Sequence, residues 1–503
     1  MKLKLRSAAP VRHLAAGILL LGAFADADAV AGNVKALPDP VTFTEHVAPI
    51  LFNNCARCHR PGEAAPFSLL GFEDAKKRAR QIAEVTGKRF MPPWHADHGY
   101  VEFSNERRLT DEQIALLGAW HQQGTPEGDP AKLPAPPKFT EGWQLGKPDL
   151  ILTMPEPFEV KAEGRDIYWN FVLPLNLSEE KWVRALEFRP SARSVVHHSL
   201  YYLDASGEAR KFDERDPKQG YNGMNRSNRQ FQSLGGWAVG GEPLMLPPEL
   251  AYLFPTNGDL VLQTHFHPSG KVEYETSTVG IYFAKKPPTR KFSSIQLPPL
   301  FGRLSGMDIP VGATNYTVRD SFTTPIDLHA FSVTPHAHYL GKTFLLVATL
   351  PDGKQQTLLK ISNWDFNWQE DCAFKHRIPL PKGTRFDATI TYDNSAENPN
   401  NPTSPPKRVK WGPMTTDEMA AITLRVIPAR DEELDELRLA KRHHTLDLFI
   451  DRAQEDTRQR ERVEMMMTMF DKDSNGRIDA AERPALRSFI ESSGMLKGLE
   501  SGF

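Results

Sequence analysis

Proline interrupts this chain too often for its middle to be built of long helices. Forty-one prolines are spread over 503 residues. Inside a helix, proline removes a hydrogen-bond donor and clashes with the preceding turn, so it is confined to loops, strand edges and linkers. Short β-type runs fit the expectation of strands: Leu150-Ile151-Leu152-Thr153, Leu260-Val261-Leu262-Gln263 and Val279-Gly280-Ile281-Tyr282-Phe283. Turn residues separate them and helical periodicity is scarce, which points to antiparallel sandwiches. A stretch carrying Pro126, Pro130, Pro134, Pro136 and Pro137 reads as a stiff linker. A second break, around Pro287-Pro288 and Pro298-Pro299, divides the β region in two. At about 150 residues per domain, the chain is long enough for three or so.

Residues 1–29 read as an export signal. Lys2, Lys4, Arg6 and Arg12 precede the apolar stretch Leu14 to Phe24, and small-x-small sites follow at Ala23-Phe24-Ala25 and Ala27-Asp28-Ala29. The stretch is too short for a mature membrane span, and no other segment approaches one. A periplasmic location is therefore expected. With 61 basic against 63 acidic residues and a net charge of −2, neither nucleic acid nor an anionic membrane is an expected partner. Three cysteines cannot form a disulfide framework in an exported chain, so a disulfide-free protein is expected.

Two of the cysteines have another use. Cys55-Ala56-Arg57-Cys58-His59 is the C-x-x-C-H signature of covalent haem c attachment, with His59 held beneath the iron as an axial ligand. A zinc pair would need two further ligands, and no second cysteine pair exists. Phe43 to Asn54 has helix-compatible spacing leading into the motif. Thr110 can cap a second helix with Gln113, placing Ile114, Leu117 and Trp120 on one face, and Gly124 can stop it. Residues 38–128 resemble the all-α class I cytochrome c fold. Met91, on the proline-fixed loop Arg89 to Trp94, is the expected sixth ligand, with His95 and His98 as alternatives. Cys372 stands alone and is expected to be a small buried hydrophobe.

The β region carries paired histidines: His197-His198, His265-Phe266-His267 and His336-Ala337-His338. Residues i and i+2 of a strand share a face, so H-x-H is a two-imidazole clamp. Adjacent residues face opposite ways, so His197 and His198 can share a metal only on a bulged backbone. Three such clusters suit copper, zinc, iron or nickel. His443-His444 lies instead in a charged, helix-like segment and is expected to be solvated.

These motifs, in this order, resemble the copper type II, ascorbate-dependent monooxygenases over roughly residues 150 to 425. His197-His198 matches the family's HH pair. Gln263-Thr264-His265-Phe266-His267-Pro268 is similar to its third-histidine motif. His336-Ala337-His338-Tyr339-Leu340-Gly341-Lys342 matches the HxH pair, and Asp417-Glu418-Met419 matches the motif that supplies a thioether. The resemblance implies two jelly-roll sandwiches, at 146–300 and 301–430. It also implies two copper ions: one for electron transfer on His197, His198 and His265, and one that meets O₂ on His336, His338 and Met419, the catalytic set. A thioether favours Cu(I), which suits that second role. His267 would stand behind the ligands. The implied activity is hydroxylation of a C–H bond, with electrons from an ascorbate-like reductant or, given the fused haem, from a redox protein. A non-hydroxylating haem and copper electron carrier, and a copper oxidase or peroxide-handling enzyme, use the same ligands. Where the family's peptide-acting members clamp a substrate carboxylate, this chain has Thr334, Ala421 and Thr423, which make no such clamp.

Asp471-Lys472-Asp473-Ser474-Asn475-Gly476-Arg477-Ile478-Asp479-Ala480-Ala481-Glu482 fills every position of an EF-hand loop. Asp471, Asp473, Asn475, Asp479 and Glu482 offer side-chain oxygens, Arg477 a backbone carbonyl, and Gly476 the turn. One Ca²⁺ is therefore expected in a helical segment 431–503, without a second loop to pair with. The expected architecture is multidomain: the signal, a cytochrome c domain at 38–128, a linker at 129–145, two β-sandwiches and this helical end.

Overall fold

In the computed structural model, residues 37–63, 65–140, 142–164, 166–222, 231–455 and 460–492 are described. The expected export signal lies outside them. The N-terminal part is helical. A π-turn, Phe43–Val47, runs into the helix Ala48–Asn54, whose end delivers Cys55. The helix Asp111–Gln122 starts as its sequence dictates. Thr110 Oγ1 accepts from the Gln113 N–H at 3.2 Å, and Gln113 Oε1 accepts from the Thr110 N–H at 2.9 Å. Gly124, at φ +80°, follows its end. A further helix, Phe72–Gly87, buries Ala75, Ala79, Ile82 and Thr86. These four positions recur at helical spacing, so the inward stripe was legible in the sequence, although sequence reasoning passed over it. Phe43, Leu51, Leu117 and Trp120 form the centre of this helical core, each large apolar side chain contributing about 1.5–3 kcal/mol by burial.

Residues 150–283 form two five-stranded antiparallel sheets. In one, Leu150–Thr153, Thr278–Phe283, Lys181–Arg189 and Leu244–Met245 are neighbours in that order, and Tyr252–Phe254 also pairs with Lys181–Arg189. In the other the order is Tyr221–Asn222, Ile167–Pro174, Asp259–Phe266, Val196–Asp204 and Gln232–Ala238. Phe188, Leu186 and Ile281 of the first sheet share one apolar cluster with Phe171, Tyr201 and Phe266 of the second. Asp259–Phe266 is buried along its whole length, because its other face is covered as well, through Val261 packing with Tyr202 and Phe231. That explains its continuous apolar run in place of alternation.

Residues 293–428 contribute two four-stranded antiparallel sheets. Ser293–Leu297, Ala421–Pro428, Leu328–His336 and Cys372–Leu380 make one; Tyr316–Thr323, Arg385–Tyr392, Gly341–Thr349 and Gln355–Ile361 make the other. Ile295, Val333 and Leu424 meet Val318, Phe344 and Phe386 in their common core. Cys372 is 3% exposed within it, and burial pushes its thiol well above the ordinary range.

The helix Leu434–Glu455 roots its first turns in that core through Leu434 and Leu437. Further along it packs Leu446 and Ile450 against Ile478, Leu486 and Ile490 of the C-terminal segment. The helices Arg460–Phe470 and Arg483–Ser492 flank the loop 471–482. The Ile478 N–H is taken by Gln454 Oε1 at 2.9 Å. His444 departs from the expectation of a solvated residue. Its Nε2 lies 3.0 Å from Asp320 Oδ2, its ring lies 5.6 Å from Phe322, and its side chain is 18% exposed. The long helix lays this face on the strand Tyr316–Thr323, a contact invisible in the local charge pattern. Among the described residues, no helix is long and apolar enough to cross a membrane.

Candidate functional site

The strand Asp259–Phe266 presents His265 and pairs with Val196–Asp204. His265 stands opposite His198, while Phe266 stands opposite Val196, leaving His197 as the extra residue of a β-bulge. This is the bent backbone that adjacent histidines need in order to face one centre. Nδ1 of His197 lies 3.0 Å from Nδ1 of His198. One nitrogen from each of His197, His198 and His265 falls within 4.8 Å of the others. Imidazoles bound at about 2.0–2.1 Å to one ion place their nitrogens at roughly such separations.

The outer face of this cluster is held by Asp166. Its Oδ2 accepts from His265 Nε2–H at 2.9 Å, and its Oδ1 accepts from His267 Nδ1–H at 2.9 Å. That leaves His265 Nδ1 buried with no hydrogen-bond partner among the described residues. His267, with its side chain 64% exposed, stands outside the cluster. Burial, reinforced by the neighbouring imidazoles, pulls His197 down to about 4 and His198 well below the ordinary histidine value. The rings are therefore neutral at neutral pH, with lone pairs available. These residues fit a metal of the imidazole-binding class.

The second group sits where Leu328–His336 turns away from its sheet. The His336 and His338 rings lie 5.4 Å apart at 85°. Gln369 Oε1 lies 2.7 Å from His336 Nδ1, and the Asp417 carbonyl lies 3.1 Å from His338 Nδ1. The Nε2 atoms are thus the available ligand positions, and that of His336 is buried without a partner among the described residues. Burial lowers His336 to about 4; burial and the His336 ring lower His338 to about 3. Met419 is 4% exposed. Its N–H and that of His338 both donate to Glu418 Oε2, at 3.2 and 2.9 Å, and the Leu340 N–H donates to Glu418 Oε1 at 2.7 Å. The middle residue of Asp417-Glu418-Met419 is therefore a buried brace joining the H-x-H turn to the methionine segment.

Phe366 stands between the two groups. Its ring stacks on His197 at 5.2 Å and 15°, and its centroid lies 6.1 Å from His265 and 5.8 Å from His338. Its loop also carries Asn367, whose Oδ1 is 3.3 Å from His197 Nε2, and Gln369. Phe366, Asn367, Gln369 and Asp166 have no local signature, and sequence reasoning missed them. His198 and His336, one from each group, line a single cavity of about 1360 Å³ between the two sheet pairs.

At the N-terminal motif, His59 Nδ1 lies 3.2 Å from the Phe67 carbonyl and its ring lies 4.6 Å from that of Phe67. A carbonyl on one ring nitrogen leaves the other free as an axial ligand, so the motif fits a covalent haem. Burial pushes the Cys55 thiol up to about 12 and raises that of Cys58. Met91 lines a cavity of about 700 Å³ with His95 and His98, and Cys55, Cys58 and His59 are not among its walls. In the EF-hand loop, Asp471, Asp473 and Glu482 each bring an oxygen within 4.8 Å of the others. Asp471 accepts the Gly476 N–H at 2.9 Å, and Asn475 and Asp479 accept the N–H groups of Arg477 and Ala481. The oxygens converge as a hard cation requires.

The chain is similar to DBH-like monooxygenase protein 1 of Homo sapiens, at 21% identity over 382 residues. The match covers 69% of this chain and 60% of that protein. The Gallus gallus protein of the same name is 21% identical over 360 residues, covering 64% and 56%. This distant similarity, spanning less than two thirds of either relative, supports a relationship to DBH-like monooxygenases. No protein-family profile matches. Among solved structures, a peptide-N(4)-(N-acetyl-β-D-glucosaminyl) asparagine amidase is similar at TM-score 0.29 and 9% identity, over 56% of this chain and 96% of that one. Recombinant N-glycanase F follows at 0.28 and 10%, over 56% and 95%. Likeness this slight has no bearing on function.

Proposed function

We propose that this chain is an exported, copper-dependent monooxygenase that hydroxylates a C–H bond of a small molecule with O₂, its electrons entering through a fused c-type haem. The observation that carries this reading is the shared cavity: His198 and His336 line one space. A pure electron carrier has no need of an open cleft beside the second histidine group, whereas a hydroxylase does. The two sheet pairs are read as the family's two jelly-roll sandwiches, behind a cytochrome c domain and a proline-rich linker.

His197, His198 and His265 would hold the electron-transfer copper, and His336, His338 and Met419 the other. When bound, copper supplies one-electron redox chemistry and O₂ activation, the overall change being C–H, O₂, two electrons and two protons to C–OH and water. The chain's own groups prepare the sites. Asp166 fixes the His265 ring so that Nδ1 faces inward. Gln369 and the Asp417 carbonyl orient His336 and His338, and Glu418 locks the turn at 338–340 to the Met419 segment. Phe366 packs its ring against His197, His265 and His338 and so ties the two groups together outside the cavity lining.

The haem motif also lies close to the first group. A Cβ placed on Gly240 would sit 3.3 Å from Cys58 Sγ. One residue earlier, the Val239 N–H donates to the His197 carbonyl at 3.4 Å. This short path supports electron entry from the haem to His197 and His198. An ascorbate-like reductant or a periplasmic redox protein would refill the haem. Ca²⁺ on the C-terminal loop would act as a structural clamp.

Metal analysis with coupled O₂ uptake and mass spectrometry over a panel of small metabolites tests the reading. It requires two coppers per chain and a hydroxylated product matched to O₂ consumed. Copper binding with no such product would favour the carrier. Stopped-flow oxidation of prereduced haem should slow far more in His198→Ala than in His338→Ala.

A further inference from the structure

We propose that the cavity shared by the two histidine groups takes an organic carboxylate, anchored by Arg425 at the end remote from His336. The inference deepens the hydroxylase reading and rests on it for the cavity being a substrate site. The sequence positions Thr334, Ala421 and Thr423 offer no carboxylate clamp, but the next cavity-facing residue of the strand Ala421–Pro428 is an arginine. Ile422, Leu424 and Val426 of that strand point into the core, while Thr423 and Arg425 line the cavity.

Arg425 is half-buried, its side chain 13% exposed, and it makes no hydrogen bond among the described residues. Its nearest charge is Asp371 Oδ2, 3.8 Å from Nη1, and Asp371 Oδ1 is already taken by the Thr334 hydroxyl at 2.6 Å. The Asp371 carboxylate neutralises the guanidinium at that distance but accepts none of its N–H groups, and a fork of donors without acceptors at such low exposure is costly unless a ligand completes it. A carboxylate matches that fork in two parallel hydrogen bonds. Three other cavity cations are engaged: Arg290 donates to the Ala429 carbonyl and Asp431, Arg438 to Asp435, and Lys441 to Ser293 Oγ, while Lys291 stands exposed at the cavity wall. The guanidinium reaches across to the first sheet pair, where a Cβ on Gly235 would stand 2.8 Å from Nη2.

Register sets the length of the ligand. Ala421 stands opposite His336 and Arg425 opposite Ser332. Four residues of strand span about 13 Å at about 3.3 Å per residue, and the arginine side chain occupies part of that. The cavity walls include Trp237, Phe292 and Phe301, and the Phe301 ring meets His336 edge-on at 5.2 Å. The ligand chemistry is therefore an apolar or aromatic body with an acid at one end, its C–H bonds presented at the other.

The test is calorimetric binding of 3-phenylpropanoate and 3-phenylpropanamide to the full-length protein as purified, with copper measured in the same samples. The acid is expected to bind at least tenfold more tightly than the amide. Arg425→Gln should erase that preference, and Arg425→Lys, which keeps the charge but not the fork, should reduce it. Equal binding of acid and amide, or no binding of either, overturns the inference, as does a preference that survives in Arg425→Gln. If the glutamine variant does not fold, an undiminished preference in Arg425→Lys overturns it instead. An acid preference in protein that holds no copper leaves Arg425 standing and overturns the copper reading. Two coppers without an acid preference do the reverse.

Discussion

Asp166→Ala should damage one metal site and spare the other. The carboxylate takes one N–H from His265 and one from His267, each at 2.9 Å. Without it, no hydrogen bond among the described residues fixes which His265 nitrogen carries the proton, although the ring stays stacked on Tyr168 at 4.3 Å. Loss of a partner that orients a ligand lowers metal affinity about 10- to 100-fold, equivalent to about 1.4–2.7 kcal/mol. Asp166→Asn should fall at the low end, because one amide end still accepts a hydrogen bond while the other faces a ring N–H. His267→Ala should cost less than either, since that exposed ring only shares the carboxylate from outside. Competition against a chromophoric Cu(I) chelator would resolve two classes of site, and only one should weaken. In a His336→Ala background, which keeps the first group alone, the same fold loss should reappear. Unchanged affinity in Asp166→Ala, or equal weakening of both classes, would refute the reasoning. The copper-free protein offers a second readout. Burial raises the Asp166 carboxyl, but the hydrogen bonds and charges of His265 and His267 outweigh it and hold the group at about 2. A depressed carboxyl stabilises the fold above its ordinary value near 3.8 and loses that contribution as pH falls through 2. About 2 kcal/mol should thus vanish across that window in wild type and be absent in Asp166→Ala.

Three other substitutions probe different parts. Glu418→Ala strands the N–H groups of His338, Leu340 and Met419, and at about 1–3 kcal/mol per buried donor the total should reach about 3–9 kcal/mol. Thermal melts should show Glu418→Gln, which keeps an acceptor, to be milder. Burial, with the charge of Arg438 adding, draws the Lys441 ammonium down to about 8. Its buried charge therefore weakens the fold at pH 7, and the penalty fades as pH rises from 8 towards 10.5. Lys441→Met should add about 3 kcal/mol at pH 7 in denaturant melts, and the gain should shrink over that interval. Calcium at about 100 times its dissociation constant adds about 2.7 kcal/mol to the unit that binds it. Melts with calcium and with chelator should differ by that order, and Glu482→Gln should remove most of the difference.

What the sequence determined by itself is the set of donor atoms and their local geometry. Cys55 to His59, His336-Ala337-His338, the capping box at Thr110 and the loop from Asp471 to Glu482 each lie within a dozen residues. Over that span, covalent geometry and strand or turn period decide which side chains face together. Adjacent histidines at 197 and 198 even implied the bulge that lets them converge. The expectation failed for His444, and it was silent on the helix Phe72–Gly87, although Ala75, Ala79, Ile82 and Thr86 recur at helical spacing. Tertiary structure decided everything that depends on which strands and loops are neighbours. It placed Asp166 behind His265 across 99 residues, set Phe366 between groups from two sheet pairs, and turned Glu418 from a motif letter into a brace. It also put Arg425 into the cavity where the motif positions lacked a cation. Such contacts arise from register and packing between elements far apart in the chain, and a periodicity read one segment at a time carries no information about them.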